Sequence, residues 1–90
     1  MVKAFVRHTV ADYAKWREGF DAHEAARRAA GATGVTQVYR DVEDPNTITV
    51  LIEWDSAQNA LRFMQDPSLQ EVMAAAGVIS VPEAHLLNRV

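Results

Sequence analysis

Apolar and polar residues alternate with a period of two along several stretches of the chain, which is the pattern of β-strands with one buried face. These stretches span residues 2–9, 35–43, 47–55 and 80–90. Pro82, near the start of the last stretch, favours an edge strand or a bulge, because proline has no N–H to donate within a sheet. The pattern therefore predicts four strands.

Between the first and second strands, the apolar period changes to threes and fours, which is typical of a helix with one buried face. The residues at this spacing are Tyr13, Trp16, Phe20 and His23. Asp12 can cap the N-terminus and Gly31 can end the helix. The pattern predicts a single helix of about five turns.

A second helical region follows the third strand. Asp55 and Gln58 have the spacing of a capping box, ahead of an apolar stripe of Ala60, Leu61, Phe63 and Met64. Asp66 and Pro67 then supply a new N-cap and a proline at the first helical position. A short third helical segment that ends at Gly77 is therefore expected.

The sequence DPNT, residues 44–47, separates the second and third strands. Proline and asparagine suit the second and third positions of a tight turn, so we expect a hairpin. In a tight hairpin Tyr39 lies opposite Ile52 and Val38 opposite Glu53, and a bulge would shift this register by one residue.

The elements follow the order strand, helix, strand, strand, helix, strand. This order predicts an α+β fold of the ferredoxin-like βαββαβ type, a single domain over residues 1–90. Right-handed crossovers place the first and third strands at the centre of a four-stranded antiparallel sheet, with both helical regions on one face. The other face is left uncovered.

We assign the more apolar face of the sheet to the helices, namely the face with Val2, Val6, Tyr39, Val50, Ile52, Trp54 and Leu86. The reverse face mixes apolar and charged residues, and exposed apolar patches of this kind mark interfaces. Two copies of the chain are therefore expected to pack sheet to sheet as a homodimer, the alternative being a monomer with an open sheet. The expected interface residues are Phe5, Arg7, Val38, Arg40, Leu51, Glu53, His85 and Leu87.

Composition limits the classes of function. The net charge is −3 and the basic residues are dispersed, which gives no electrostatic reason to bind nucleic acid. Cysteine is absent, so disulfides and thiolate chemistry are excluded. The N-terminal stretch MVKAFVRHTV has no apolar run long enough for a signal sequence or a membrane span, and we expect a cytoplasmic protein that does not bind membranes.

His8 and His23 are the candidate catalytic residues, because a histidine can exchange a proton near neutral pH. His8 ends the first strand on the helix-facing side, and His23 continues the aromatic stripe of the first helix. The alternative for each is a structural histidine, hydrogen-bonded at the rim of the core. His85 falls on the opposite face, where a role in interface ion pairs is favoured.

Large aromatic side chains are expected to line a pocket for a hydrophobic small molecule. Beside a histidine, such rings form a cradle for a flat aromatic ligand, although they also supply the core of a small domain. The candidates are Tyr13, Trp16, Phe20, Tyr39, Trp54 and Phe63. The histidines lie on different elements without the spacing of a zinc motif, so no metal site is expected.

Three stretches carry a resemblance to a known superfamily: DYAKWREGFDAH, YRDVEDPNTITVLIEW and FMQDPSLQEVMAAAGV. Glu53 and Trp54 end the third strand and Phe63 follows on the next helix, which is typical of the same superfamily. Over nearly its whole length the chain resembles the dimeric α/β-barrel superfamily, nearest to the antibiotic biosynthesis monooxygenase-like branch.

This resemblance implies two sheets that close into a barrel across a dimer, with a ligand pocket in each subunit between sheet and helices. Members include cofactor-free oxygenases of aromatic polyketides, polyketide cyclases, lactone isomerases and haem-degrading enzymes. Some relatives bind haem through a histidine on the helix of the second half, but residues 56–76 of this chain contain no histidine. We therefore expect neither haem nor any other cofactor. The leading hypothesis is a cofactor-independent monooxygenase or polyketide cyclase-like enzyme, and the alternative is a non-catalytic dimeric ligand-binding or scaffold module.

Overall fold

The computed structural model describes residues 1–90 and contains one antiparallel sheet of four strands in the order β2-β3-β1-β4. The first and third strands are central, and the predicted α+β, ferredoxin-like fold class is confirmed. The strands are β1 Val2–Thr9, β2 Ala32–Arg40, β3 Thr47–Trp54 and β4 Glu83–Asn88.

Each of the two helical regions is divided, giving α1 Tyr13–Ala22, α2 Glu24–Ala30, α3 Ala57–Met64 and α4 Pro67–Ala75. The prediction of one continuous first helix is wrong, because the helix breaks at His23. The Arg27 side chain donates to the backbone carbonyl of Phe20 at 2.9 Å and so satisfies an acceptor at the end of α1. None of the helices is long and apolar enough to cross a bilayer.

Side-chain caps fix the starts of three of the four helices, α1, α3 and α4. The Asp12 carboxylate accepts backbone N–H groups at the start of α1, as predicted, and Asp66 does the same for α4 ahead of Pro67. The predicted Asp55 cap of α3 is wrong. There the Ser56 hydroxyl accepts the backbone N–H three residues on, at 3.1 Å, while the Asp55 carboxylate accepts a side-chain amide instead.

The pairing of β2 with β3 differs from the prediction by three residues. Val38 lies opposite Val50, and Tyr39 lies opposite Thr49. The predicted tight turn forms, closed by a backbone hydrogen bond of 3.0 Å, but residues 41–43 lie outside the sheet and lengthen the connection. Because side chains alternate along a strand, a shift by an odd number of residues reverses the two faces of β2.

Three predictions for side chains of β2 are therefore wrong. Val38 packs against the core, and the Arg40 guanidinium lies over the ring of Tyr13 at 4.1 Å, so both are on the helix side rather than on the expected interface face. Tyr39 is 51% exposed on the uncovered face, so it does not line a pocket beneath the helices.

The remaining six expected interface residues do share the uncovered face: Phe5, Arg7, Leu51, Glu53, His85 and Leu87. Phe5 lies opposite Leu51 on the central strands, and both are only half-buried. The Phe5 ring also lies 5.9 Å from the ring of His85. This face thus combines an apolar centre with charged surroundings, and nothing within the chain covers it.

Gly31, at the C-terminus of α2, is expected to resist substitution more strongly than Gly77, although both have positive φ (122° and 89°). A Cβ at Gly31 would lie 2.7 Å from a carboxylate oxygen of Asp55, whereas one at Gly77 would have its nearest neighbour at 4.0 Å. Gly77→Ala should lower the free energy of unfolding by about 1–2 kcal/mol for the backbone conformation alone. Gly31→Ala should lower the free energy of unfolding further, as measured by urea denaturation, because of the close contact with Asp55. Equal decreases in the two variants would show that this contact does not matter.

Candidate functional site

A cavity of about 90 Å³ lies between the sheet and the four helices, with α2 contributing Arg27. Thirteen of its seventeen lining residues are hydrophobic. Small residues explain why space remains: Ala4 of β1 lines the cavity, and Gly19 of α1 faces Ala76, just past the end of α4. A Cβ at Gly19 would approach that of Ala76 to 3.1 Å, so the two segments are already close together there.

Trp16 forms one end of the cavity. Its ring stacks on Phe20 with centroids 4.9 Å apart, and it meets the ring of His8 edge-on at 5.6 Å. Helical spacing places Trp16 and Phe20 one turn apart on α1, and the alternation of β1 turns His8 toward them. The sequence-predicted neighbourhood of His8 and Trp16 is therefore present.

Phe63 forms the other end. Its ring lies 5.1 Å from the ring of Trp54 and 5.7 Å from that of His23, centroid to centroid. The break between α1 and α2 puts His23 at this end, so the two candidate histidines contact different aromatic residues of one cavity.

His8 is 6% exposed, and neither of its ring nitrogens has a hydrogen-bond partner within the protein. The indole Nε1 of Trp54 is buried without a partner in the same way. Native proteins rarely leave buried polar atoms unpaired, so a bound molecule or water is expected to meet them. Burial lowers the pKa of His8, because the charged imidazolium loses its hydration. The neutral ring can accept a proton.

His23 is half-buried, and its pKa is also lowered, chiefly by burial and then by the positive charge of Arg27. Both candidate histidines therefore favour the neutral form. This state is required of a proton acceptor.

Six of the predicted site residues line this one cavity: His8, Trp16, Phe20, His23, Trp54 and Phe63. Tyr13 does not line it. Its ring packs on the outer side of the cluster, 5.9 Å from Trp16. Tyr39 is on the opposite face of the sheet.

Arg27 lines the cavity and is 5% exposed, but it was not among the predicted site residues. The helical spacing could have indicated it, because Arg27 follows His23 by four residues and so continues the sheet-facing side of the first helical region. Met64, Leu69 and Met73 of α3 and α4 also line the cavity. Their apolar spacing predicts that they face the sheet, but they were not predicted as pocket lining. No three His, Cys, Asp or Glu side chains come together in an arrangement that could hold a metal ion.

Several solved structures share this fold. A proposed antibiotic biosynthesis monooxygenase from Bordetella bronchiseptica has a TM-score of 0.80 and 20% identity, over 99% of this chain and 96% of that one. SnoaB, a cofactor-independent oxygenase from Streptomyces nogalater, has a TM-score of 0.72 and 22% identity, over 99% of this chain and 92% of that one. No protein-family model and no curated protein matches the sequence.

The chain therefore has the fold of the antibiotic biosynthesis monooxygenase-like proteins, and the resemblance inferred from its sequence is confirmed at the level of fold. At these identities the similarity establishes the arrangement of strands and helices. The chemistry has to be argued from the cavity itself.

Because burial lowers the pKa of His8, we expect the stability of the protein to fall on acidification. Since burial lowers the folded-state pKa of His8 below its ordinary value of about 6.5, the unfolded chain binds the proton first as the pH drops through that value. The free energy of unfolding should then fall by up to about 1.4 kcal/mol per pH unit for this histidine until the folded-state pKa is reached.

Urea denaturation between about pH 7.5 and about pH 5.5 tests this linkage. His8→Gln should make the decline shallower, whereas Lys15→Gln, an exposed change on α1, should leave it as in the parent protein. A decline of the same steepness in His8→Gln would show that another group is responsible.

Proposed function

We infer that the protein binds a hydrophobic, aromatic or polyketide-like molecule in this cavity and oxygenates it without a cofactor. The observation that carries this proposal is His8, a buried neutral base with two unpartnered ring nitrogens in an aromatic cavity. The fold shared with SnoaB, which is a cofactor-independent oxygenase, supports the same chemistry.

The cavity is smaller than the pockets of a few hundred Å³ or more that commonly hold such ligands. A neighbouring groove of about 530 Å³ between α4 and β4 shares four lining residues with it: Val6, Met64, Leu69 and Met73. Methionine side chains adapt their shape easily. Reorientation of Met64 and Met73 would join the two spaces and give a flat substrate both an entrance and room.

In the proposed reaction His8 removes a proton from an activated CH₂ group of an anthrone-like substrate. The resulting carbanion reacts directly with molecular oxygen. The two C–H bonds are lost, one oxygen atom becomes the new carbonyl and the other leaves as water. No external reductant is needed for this balance. In this proposal Trp54 Nε1, which is also buried without a partner, donates a hydrogen bond to a substrate oxygen.

We further infer that two copies associate through the uncovered sheet face. Phe5 and Leu51 form an apolar centre, and Leu87 is 44% exposed beside it. Charged groups surround this centre, including the ion pair between Arg7 and Asp41 at 2.9 Å. An apolar centre with a polar rim is the usual composition of a protein interface, and a second copy presents the same surface.

Replacing His8 is expected to abolish most of the activity. A general base contributes roughly 10²–10⁴-fold to a rate, so His8→Gln should lower oxygen uptake with an anthrone substrate by about that factor. The measurement is oxygen consumption together with ¹⁸O₂ incorporation into the quinone product.

Lys15→Gln serves as the control, since its side chain is exposed on α1 away from the cavity. Uptake that survives in His8→Gln would remove His8 as the base. Binding of the anthrone to the parent protein without any oxygen uptake would favour the non-catalytic ligand-binding module instead.

The dimer is tested by placing a charge at the centre of the uncovered face. Leu51→Lys should convert the dimer to a monomer, because a lysine there would be buried without a partner. Val42→Lys, at a residue that is fully exposed beside the hairpin turn, should leave the dimer intact. Light scattering during size-exclusion chromatography reports the mass, and a monomeric parent protein would contradict the interface.

A further inference from the structure

Arg27 is a buried cation without a salt bridge. It is 5% exposed, and no carboxylate oxygen lies within 4.0 Å of its guanidinium nitrogens. Arginines are almost never buried to this extent without an ionic partner, because removing the charge from water is costly. The unpaired guanidinium nitrogens are not among the fully buried polar atoms, so they remain accessible to a ligand or to water.

The contacts of Arg27 leave most of its donors free. Nη1 donates to the backbone carbonyl of Phe20 at 2.9 Å, and Cζ lies 3.8 Å from the centre of the Phe20 ring. A guanidinium has five N–H donors, and this is its one hydrogen bond in the structure. The same side chain lines the aromatic cavity on one side and a surface groove on the other.

The surrounding charges only partly compensate the guanidinium. Burial lowers the pKa of Arg27. Glu24 and Asp21 oppose this effect from the side of the surface groove without reversing it, and the positive charge of Arg17 in the same groove adds to the lowering. Toward the cavity the other titratable groups are His8 and His23, and burial lowers the pKa of both. The cavity therefore holds one cation and no anion.

We propose that Arg27 binds the anionic group of an aromatic carboxylate whose rings occupy the cavity. A planar guanidinium matches the geometry of a carboxylate and can donate two parallel hydrogen bonds to it. The stack of Phe20 on Trp16 fixes the position of the guanidinium, and the ligand rings lie along the apolar lining between Trp16 and Phe63. This inference rests on the proposed function, since it uses the same cavity, and it adds an acidic group to the substrate class.

The test compares two ligands that share a ring system and differ in charge. Calorimetric titration measures the affinity of 2-naphthoate and of the neutral 2-naphthalenemethanol at constant ionic strength. The parent protein should bind the carboxylate about tenfold or more tightly than the alcohol, because charge-assisted hydrogen bonds are the stronger ones.

Arg27→Gln should abolish that preference and leave the affinity for the alcohol within about twofold of the parent value. Arg28→Gln is the matched control, since it removes the same charge from the next residue, which is exposed on the same helix. It should keep the preference. Loss of the preference in both variants would mean that the general positive charge of α2 is responsible, and would overturn the proposal.

The parent protein alone also decides the matter if Arg27→Gln does not fold. Equal binding of the two ligands would overturn the role of Arg27 while leaving the aromatic cavity as a binding site. Failure to bind either ligand would contradict the cavity as a binding site, and the proposed function with it. Arg27→Lys keeps the charge without the planar fork, so it should retain a reduced preference.

Discussion

The packing of large rings against both ends of the central strand pair sets the distance between the helices and the sheet. Trp16 meets His8 at one end, and Phe63 meets Trp54 at the other. Between these contacts the central strand presents Ala4, which is too small to fill the gap. The burial of aromatic surface that stabilises this small domain therefore also produces its cavity.

The polar atoms along this cavity lower the stability of the folded protein, because they are buried without enough hydrogen-bond partners. His8 and Trp54 keep unpartnered nitrogens in an apolar interior, and each such atom costs roughly 1–3 kcal/mol. Arg27 adds a charge with one hydrogen bond and no salt bridge. Apolar residues of similar size would pack there at a lower cost. The presence of His8, Trp54 and Arg27 around the same cavity is the physical reason to regard it as a binding site.

Local signals predicted some elements well and others poorly. The bounds of β1 and the caps Asp12 and Asp66 depend on neighbouring residues, and they were predicted correctly. The break at His23 was missed because it involves the Arg27 side chain reaching a carbonyl seven residues earlier. The register of β2 was missed because the residues between Arg40 and the turn leave the sheet, and an alternating pattern does not show where pairing stops.

The sequence by itself determined the order of the elements, the central strands and the side of the sheet on which His8 and Trp54 lie, because these follow from periodicity and chain connectivity. Only the tertiary structure decided which face Tyr39 and Val38 occupy, since a shift by an odd number of residues reverses a strand and depends on the length of its loop. It also decided that Arg27 enters the cavity without a salt bridge, because burial and pairing are properties of the packed chain.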